Sequence, residues 1–586
     1  MKWALRWLTW LIAAVPVLYY VGMVLGYAYD FPYMDDYPVV VDFLNRLPGA
    51  GTLGEKVALL LEQNNFHRLV LAKLIAWANV GLTGSVDFRV MQYVGLVALL
   101  GTSGLLFGSI SHAVSPNYGV TIAYFLPVLF LLFQFQGWNI AFWPIVAASN
   151  VTAPALALLA FYLANRRREG WAIGVAFVAL FTNGNGILVL PLLLICWLLQ
   201  QRWRWAMGTL LVTVPSLLFY FHDYQNPSGL SLVTLLSPAK LLHLLALDTA
   251  FLGAIVYHPS VAWLPVLLGS STVIWTTYLL WIRYDRANPT LFWLLVFLHL
   301  TGLMLALNRI QNDTSIVFAS RYRNITALHL AATYLSVVEV LFSGVIPGGA
   351  LLRCEKVINK FTQRSGTPPG TTPLNRINWF TGLATLGAVA LWAVSNVTYL
   401  SKIERFRELK QTDNLLWQRY GQIRACAPQY RPVQGLTQLA KNGYFKPSTP
   451  VLAHLQRHRA MNVPNPTPGD SLQYGIDVRR LDEGFLVVSG WAKVADRKAN
   501  FNDTLVGVKT VTGWQYYTTL FHQRLDKEDS ANDKDTGFTA IIPNTNVPDS
   551  LAIFVRSGKY AAVSILKLQL RDWVTLFPKL KLRDTP

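Results

Sequence analysis

Three carboxylates follow closely on the first apolar run of the chain. The segment reads Tyr29-Asp30-Phe31-Pro32-Tyr33-Met34-Asp35-Asp36-Tyr37. A carboxylate at a bilayer edge is partly desolvated, which raises its pKa and suits it to act as a base. Asp35 and Asp36 are adjacent, so one of the two faces a given site at a time. The plainer reading is an acidic loop that holds the first helix end in water. A second polar group, Glu62-Gln63-Asn64-Asn65-Phe66-His67-Arg68, stands directly before an apolar helix. His67 and Arg68 there suit an anion or a substrate hydroxyl. Against that stands helix capping by Asn64 or Asn65, with Arg68 at the lipid headgroups.

A third group is Asn308-Arg309-Ile310-Gln311-Asn312-Asp313, followed by Ser320-Arg321-Tyr322-Arg323. Arg309 and Arg321 end consecutive apolar runs on the side where basic residues are normally depleted. Charges that ignore this bias are functional candidates. The planar guanidinium fork binds two oxygens of a phosphate; anchoring in headgroups is the alternative. The turn Thr182-Asn183-Gly184-Asn185-Gly186 is polar and reads first as a tight connection between helices. His222 and Asp223 could join a metal site, yet nothing else has ligand spacing. HExxH, GxSxG and Walker patterns are absent from the sequence, which argues against ATP-driven work by this chain.

The elements that must position these groups are membrane helices. The 586 residues are 53% hydrophobic and 14% charged, with mean hydropathy +0.35. A soluble chain carries about 25% charge. Net charge is +19, but much of the excess sits in short loops between apolar runs, which marks the cytoplasmic side rather than a nucleic-acid partner. Apolar runs lie at 5–27, 88–110, 119–134, 146–165, 171–182, 186–200, 205–221, 262–282, 290–307, 324–343 and 379–400. With Arg166–Arg168, Arg202/Arg204, Arg283/Arg286 and Arg353–Arg376 inside, they thread as about 11 transmembrane helices. The N-terminus is then inside and the C-terminus outside. Segment 230–258 is expected outside, as a re-entrant or interfacial helix. The first outward loop is 28–87.

From 401 the chain turns polar, helical at first. From about 470 short β-rich runs alternate with turns: 484–491, 504–511, 514–521, 537–542, 550–556 and 561–568. That pattern predicts a β-sandwich. Its Trp491, Trp514, Tyr516 and Tyr517 are either sandwich core or ligand-stacking surfaces. The expected division is a transmembrane domain over 1–400, an extracytoplasmic helical linker over 401–469 and the β-domain over 470–586. Cys196, Cys354 and Cys426 fall in different settings, so no disulfide is expected.

Taken in order, these elements resemble the GT-C superfamily of integral-membrane glycosyltransferases. The resemblance rests on Asp30 and Asp35-Asp36 directly after the first span, the long outward loop, Asn64-x-x-His67-Arg68, and Ser320-Arg321-Tyr322. It covers roughly 1–400. A C-terminal outward β-domain also occurs in related arabinosyltransferases. The resemblance implies a polyprenyl-phosphate-linked sugar as donor and a glycan or glycolipid acceptor, with membrane lipid around the spans. It implies Asp36, Asp35 or Asp30 as general base, and Arg321, Arg309, Arg68 and His67 around the donor phosphate. Asn64, Tyr322 and Tyr37 would contact substrate. Some members use a divalent cation, so that cofactor stays open. The implied place is the bacterial inner membrane, with the active site and the C-terminal domain extracytoplasmic. Two other readings fit the composition: a transporter or flippase of a lipid-linked sugar, which should show matching halves, and a non-catalytic scaffold of envelope polysaccharide assembly.

Overall fold

In the computed structural model the described residues are 2–65, 67–114, 118–225, 237–310, 317–342, 373–423, 426, 428–447, 471–482, 485–495, 503–510, 513–522, 536–543, 550–557 and 560–567. Gln311 to Asp313, Arg353, Cys354, most of the basic stretch to Arg376, and the end of the expected linker lie outside them. The chain forms two compact units. The first comprises 1–28, 49–76 and 89–400; the second comprises 29–48, 77–88 and 401–586. The first outward loop therefore divides, its acidic start joining the second unit and its Asn64–Arg68 part the first.

Among the described residues, nine helices are long and apolar enough to cross a membrane: Trp7–Tyr27, Phe88–Ile110, Thr121–Phe142, Pro144–Asn165, Trp203–Phe221, Trp263–Trp281, Pro289–Arg309, Ser320–Leu341 and Trp379–Gln418. The two expected spans without such a helix are 171–182 and 186–200. They form helices Glu169–Leu180 and Val189–Leu199, of 12 and 11 residues, joined by the 3-10 turn Gly184–Leu188. At 1.5 Å per residue each rises about 17–18 Å, against an apolar core of about 30 Å. The polar Thr182–Gly186 punctuation is what keeps them short. At 40 residues the last helix outruns any bilayer; its apolar stretch ends near 400.

The 230–258 segment contains a helix, Pro238–Leu252, that packs among the other helices of the first unit. A Cβ on Gly269 would lie 1.9 Å from the Thr249 carbonyl oxygen, and one on Gly253 the same distance from that of Pro265. Glycine alone permits this closeness, the usual device where helices associate in lipid. A Cβ on Gly302 would lie 2.5 Å from Asp248 Oδ1, so the helix also lies against Pro289–Arg309.

The second unit carries two four-stranded antiparallel sheets. The strands are β1 Leu472–Asp482, β2 Phe485–Val494, β3 Asp503–Thr510, β4 Gly513–Thr518, β5 Leu520–His522, β6 Gly537–Pro543, β7 Ser550–Ser557 and β8 Tyr560–Lys567. Their orders are β1-β2-β6-β5 and β4-β3-β7-β8. Alternate residues of both sheets enter one buried cluster, including Leu486/Val488, Val506/Val508, Phe538/Ala540/Ile542 and Leu551/Ile553/Val555. This is the period-two pattern of strands buried on one face. The expected single strand 514–521 is broken at Thr519, whose hydroxyl donates to the Thr504 carbonyl at 2.7 Å. The chain there leaves β3 and pairs with β6 in the other sheet. Strand β1 was not expected from the sequence.

Candidate functional site

The acidic segment folds into a tight turn in the second unit. Met34 takes a left-handed conformation at φ 47°, strained for a residue with a side chain. The turn closes through Asp36 N–H to Tyr33 O (3.0 Å) and Tyr37 N–H to Met34 O (3.1 Å). Phe31 and Tyr33 anchor it, Tyr33 edge-on to Phe406 at 4.8 Å and Phe31 against Trp417 and Phe445. A π-helix, Tyr37–Val41, follows with Pro38 in its first turn. Such irregular turns recur at functional sites.

This turn gives the three aspartates different surroundings. Asp36 is fully buried, and its Oδ2 accepts the Tyr33 amide at 2.8 Å. Asp30 is half-buried; its Oδ1 accepts the Phe88 amide at 2.8 Å, capping the helix that begins there. Asp35 is also half-buried, and its charge reaches Tyr430. Asp35 and Asp36 thus differ in accessibility, which their adjacency in sequence does not reveal.

Helix residues 401–420 supply what the sequence reading missed. Ile403, Phe406, Lys410, Asp413 and Trp417 recur at three- and four-residue spacing, and all are buried. Two charges on an apolar stripe were the available signal. The Lys410 ammonium interacts with Asp36 and Asp30 and donates to the Tyr29 carbonyl at 3.2 Å. Asn414 donates to the Tyr29 hydroxyl at 2.8 Å. The Tyr37 hydroxyl is buried without a hydrogen-bond partner. Burial raises its pKa well above the ordinary tyrosine value, and Asp413, Cys426 and Asp36 add to the shift. It stays protonated, a donor with no acceptor.

In the first unit, Asn64 and His67 pair through both backbone bonds, 2.7 and 2.9 Å, around Asn65 at φ 50°. This pulls the neighbours His67 and Arg68 apart. His67 lies against Gly184, where a Cβ would be 2.3 Å from Nδ1. Arg68 is buried. Its Nε donates to the Tyr220 carbonyl at 2.8 Å, Nη2 to that of His222 at 2.5 Å, and Nη1 to that of Leu61. Arg68 therefore clamps two chain segments with all three nitrogens. The Asn64 Oδ1 is buried and unpartnered.

Arg321 and Tyr322 form the 3-10 turn before helix Arg323–Phe342. The Arg321 guanidinium lies 5.2 Å from the Tyr322 ring centroid, and its Nε is buried without a partner. Tyr322 meets Phe251 edge-on. Arg309 ends helix Pro289–Arg309, where the helix dipole favours a cation. The next arginine, Arg323, was not singled out as a site residue, yet it is the more deeply held. It donates to Phe318 O at 3.2 Å and Tyr399 Oη at 2.6 Å, and it lies over the Tyr257 ring at 5.7 Å. Among the described residues, Arg68, Arg309, Arg321 and Arg323 have no carboxylate at ion-pair distance. A small cavity of about 20 Å³ lies in the same unit, lined by apolar side chains but for Thr102 and Asn324; it has room for about one water molecule. The Asn324 Oδ1 is buried and unpartnered.

The remaining candidates resolve as follows. His222 and Asp223 bond each other at 2.8 Å, both exposed. Among the described residues, no three His, Cys, Asp or Glu side chains are grouped to hold a metal ion. Cys196 and Cys426 are buried thiols outside any disulfide. Tyr517 packs on the sheet core, while Trp514 and Tyr516 share the opposite face of β4, with Tyr516 over Gly507. Trp491 lies over Gly475. Compared with protein-family models, curated proteins and solved structures, the chain matches none.

Proposed function

We propose that the protein is a membrane glycosyltransferase that moves a sugar from a polyprenyl-phosphate donor to a hydroxyl of a glycan or glycolipid acceptor. The observation that carries this reading is that Arg68, Arg309, Arg321 and Arg323 of the first unit have no carboxylate partner among the described residues. Buried cations are normally paired or hydrogen-bonded. Arg323 and Arg68 are satisfied by neutral oxygens, whereas Arg321 keeps a buried N–H unused. A phosphate monoanion is the ligand that such a group fits, because its oxygens accept from the guanidinium fork. The apolar helices suit a polyprenyl tail.

In this reading Asp35 is the general base, since it is the more accessible of the adjacent pair. It takes the proton of the acceptor hydroxyl. The oxygen then attacks the anomeric carbon, the bond from that carbon to the phosphate oxygen breaks, and polyprenyl phosphate leaves with the electron pair. A single displacement inverts the anomeric centre. Arg321 and Arg309 stabilise charge gathering on the leaving phosphate. Asp36 holds the turn as counter-ion to Lys410, Asp30 caps a helix, and Arg68 is a structural clamp. His67 and Tyr322 keep supporting roles, and Tyr37 donates to substrate. No step is assigned to a metal. We read the two sheets as a β-sandwich on the extracytoplasmic side of a bacterial inner membrane.

The experiment is lipid extraction and mass spectrometry on purified wild type and Arg321→Ala. Polyprenyl phosphate or its glycoside should accompany the wild type and be depleted in the variant. Equal lipid in both, or none in either, removes the basis of the donor reading.

A further inference from the structure

We propose that the Thr182–Gly186 turn carries a sugar-hydroxyl subsite, in which the Asn185 amide binds a pair of hydroxyls on the transferred sugar. This rests on the donor reading above and names what the donor's sugar meets.

Two short helices deliver this turn to the interior of the first unit. Thr182 is fully buried and Asn185 is 8% exposed. The turn is pinned on several sides. Gly184 fits against the His67 imidazole, and Gly186 against the Ala179 carbonyl, where a Cβ would be 1.8 Å away. Asn183 donates to Asn150 Oδ1 at 2.9 Å, and its own Oδ1 accepts the Gly184 amide at 2.9 Å. Asn150 belongs to a second π-helix, Ala147–Val151. With the backbone held this way, Asn185 remains with both amide atoms buried and unpartnered.

The chemistry of that amide selects its ligand. It offers a donor and an acceptor side by side. Neighbouring sugar hydroxyls each donate and accept, so two of them satisfy both atoms at once. A phosphate has acceptors and no donor, which would leave Oδ1 facing negative oxygen. A polyprenyl tail has neither. The Asn64 Oδ1, beside the backbone bridge to His67, is a further unused acceptor.

The test uses the full chain in lipid nanodiscs. Binding of undecaprenyl phosphate is compared with that of its glucosyl and arabinofuranosyl esters, for wild type, Asn185→Leu and Asn185→Ala. Replacing unpartnered polar atoms by an apolar group of similar shape is nearly neutral for stability. Asn185→Leu should therefore melt at or above the wild-type temperature. The wild type should bind bare undecaprenyl phosphate, and at least one glycosyl ester about tenfold more tightly, as two neutral hydrogen bonds supply. Both variants should keep the affinity for the bare lipid and lose that tenfold increment. If the bare lipid does not bind wild type, the donor reading falls and the subsite with it. If it binds but wild type shows no increment, or the variants retain it, the subsite alone is overturned. A lower melting temperature of Asn185→Leu with unchanged affinities identifies an ordered water as the amide's partner, which also overturns the subsite.

Discussion

Replacing Lys410 with methionine removes a buried ammonium that faces Asp36 and Asp30 while keeping most of the side-chain volume. Lys410 is 1% exposed and Asp36 0%. Removing one member of a buried ion pair costs about 3–5 kcal/mol, because the other charge is left without compensation. At about 2–4 °C per kcal/mol for a unit of this size, the melting temperature should fall by about 6–20 °C. The double variant Lys410→Met/Asp36→Asn removes the stranded carboxylate as well and should recover at least half of that loss. Unfolding of the full chain in detergent, followed by intrinsic fluorescence, reads both. A single variant that melts within about 2 °C of wild type would refute the pairing, as would a double variant less stable than the single.

Other consequences are sharper in direction than in size. Arg68→Ala should lower stability by about 3 kcal/mol or more, since hydrogen bonds to a charged group contribute about 1.5–3 kcal/mol each; a variant of wild-type stability that binds donor weakly would make Arg68 a ligand residue instead. Tyr37→Phe should be neutral or stabilising at pH 7, because the hydroxyl is unpartnered. The raised folded pKa of Tyr37 gives stability that is complete below about pH 10 and lost as pH rises towards the folded value. The wild type should therefore weaken above pH 10 more steeply than Tyr37→Phe, and parallel pH profiles would contradict that. Gly184→Ala sets a methyl 2.3 Å from His67 Nδ1, so it should displace the turn and depress glycosyl-lipid binding; unchanged binding would show that the turn does not read the ligand.

Most helices were legible because a membrane span needs only length and apolarity, and nine of the expected runs form them. The two that do not are the ones whose polar Thr182–Gly186 junction lies close enough to shorten both. Hydropathy alone counts them as spans; their lengths in ångströms fall short of the apolar core of a bilayer. The strands were legible from alternation at Val506/Val508 and Leu551/Ile553/Val555. The break at Thr519 was not, because one threonine in a β-rich run carries no turn signal. At the candidate site, the sequence singled out Asp30, Asp35 and Asp36 but not their different surroundings, which depend on the left-handed Met34 and on Lys410, far along the chain. Arg323 was hidden by its neighbour Arg321: both are arginines beside a tyrosine, and only burial against Tyr399 and Phe318 separates them.

The consumption of a lipid-linked sugar is tested most directly by comparing what wild type and Asp35→Asn hold when purified from the same cells. Without its base the variant should retain the glycosylated polyprenyl phosphate, while the wild type should hold mostly the bare polyprenyl phosphate that transfer leaves behind. The same lipid in the same amount on both proteins would contradict a role for Asp35 in transfer and, with it, the assignment of the chain as a glycosyltransferase.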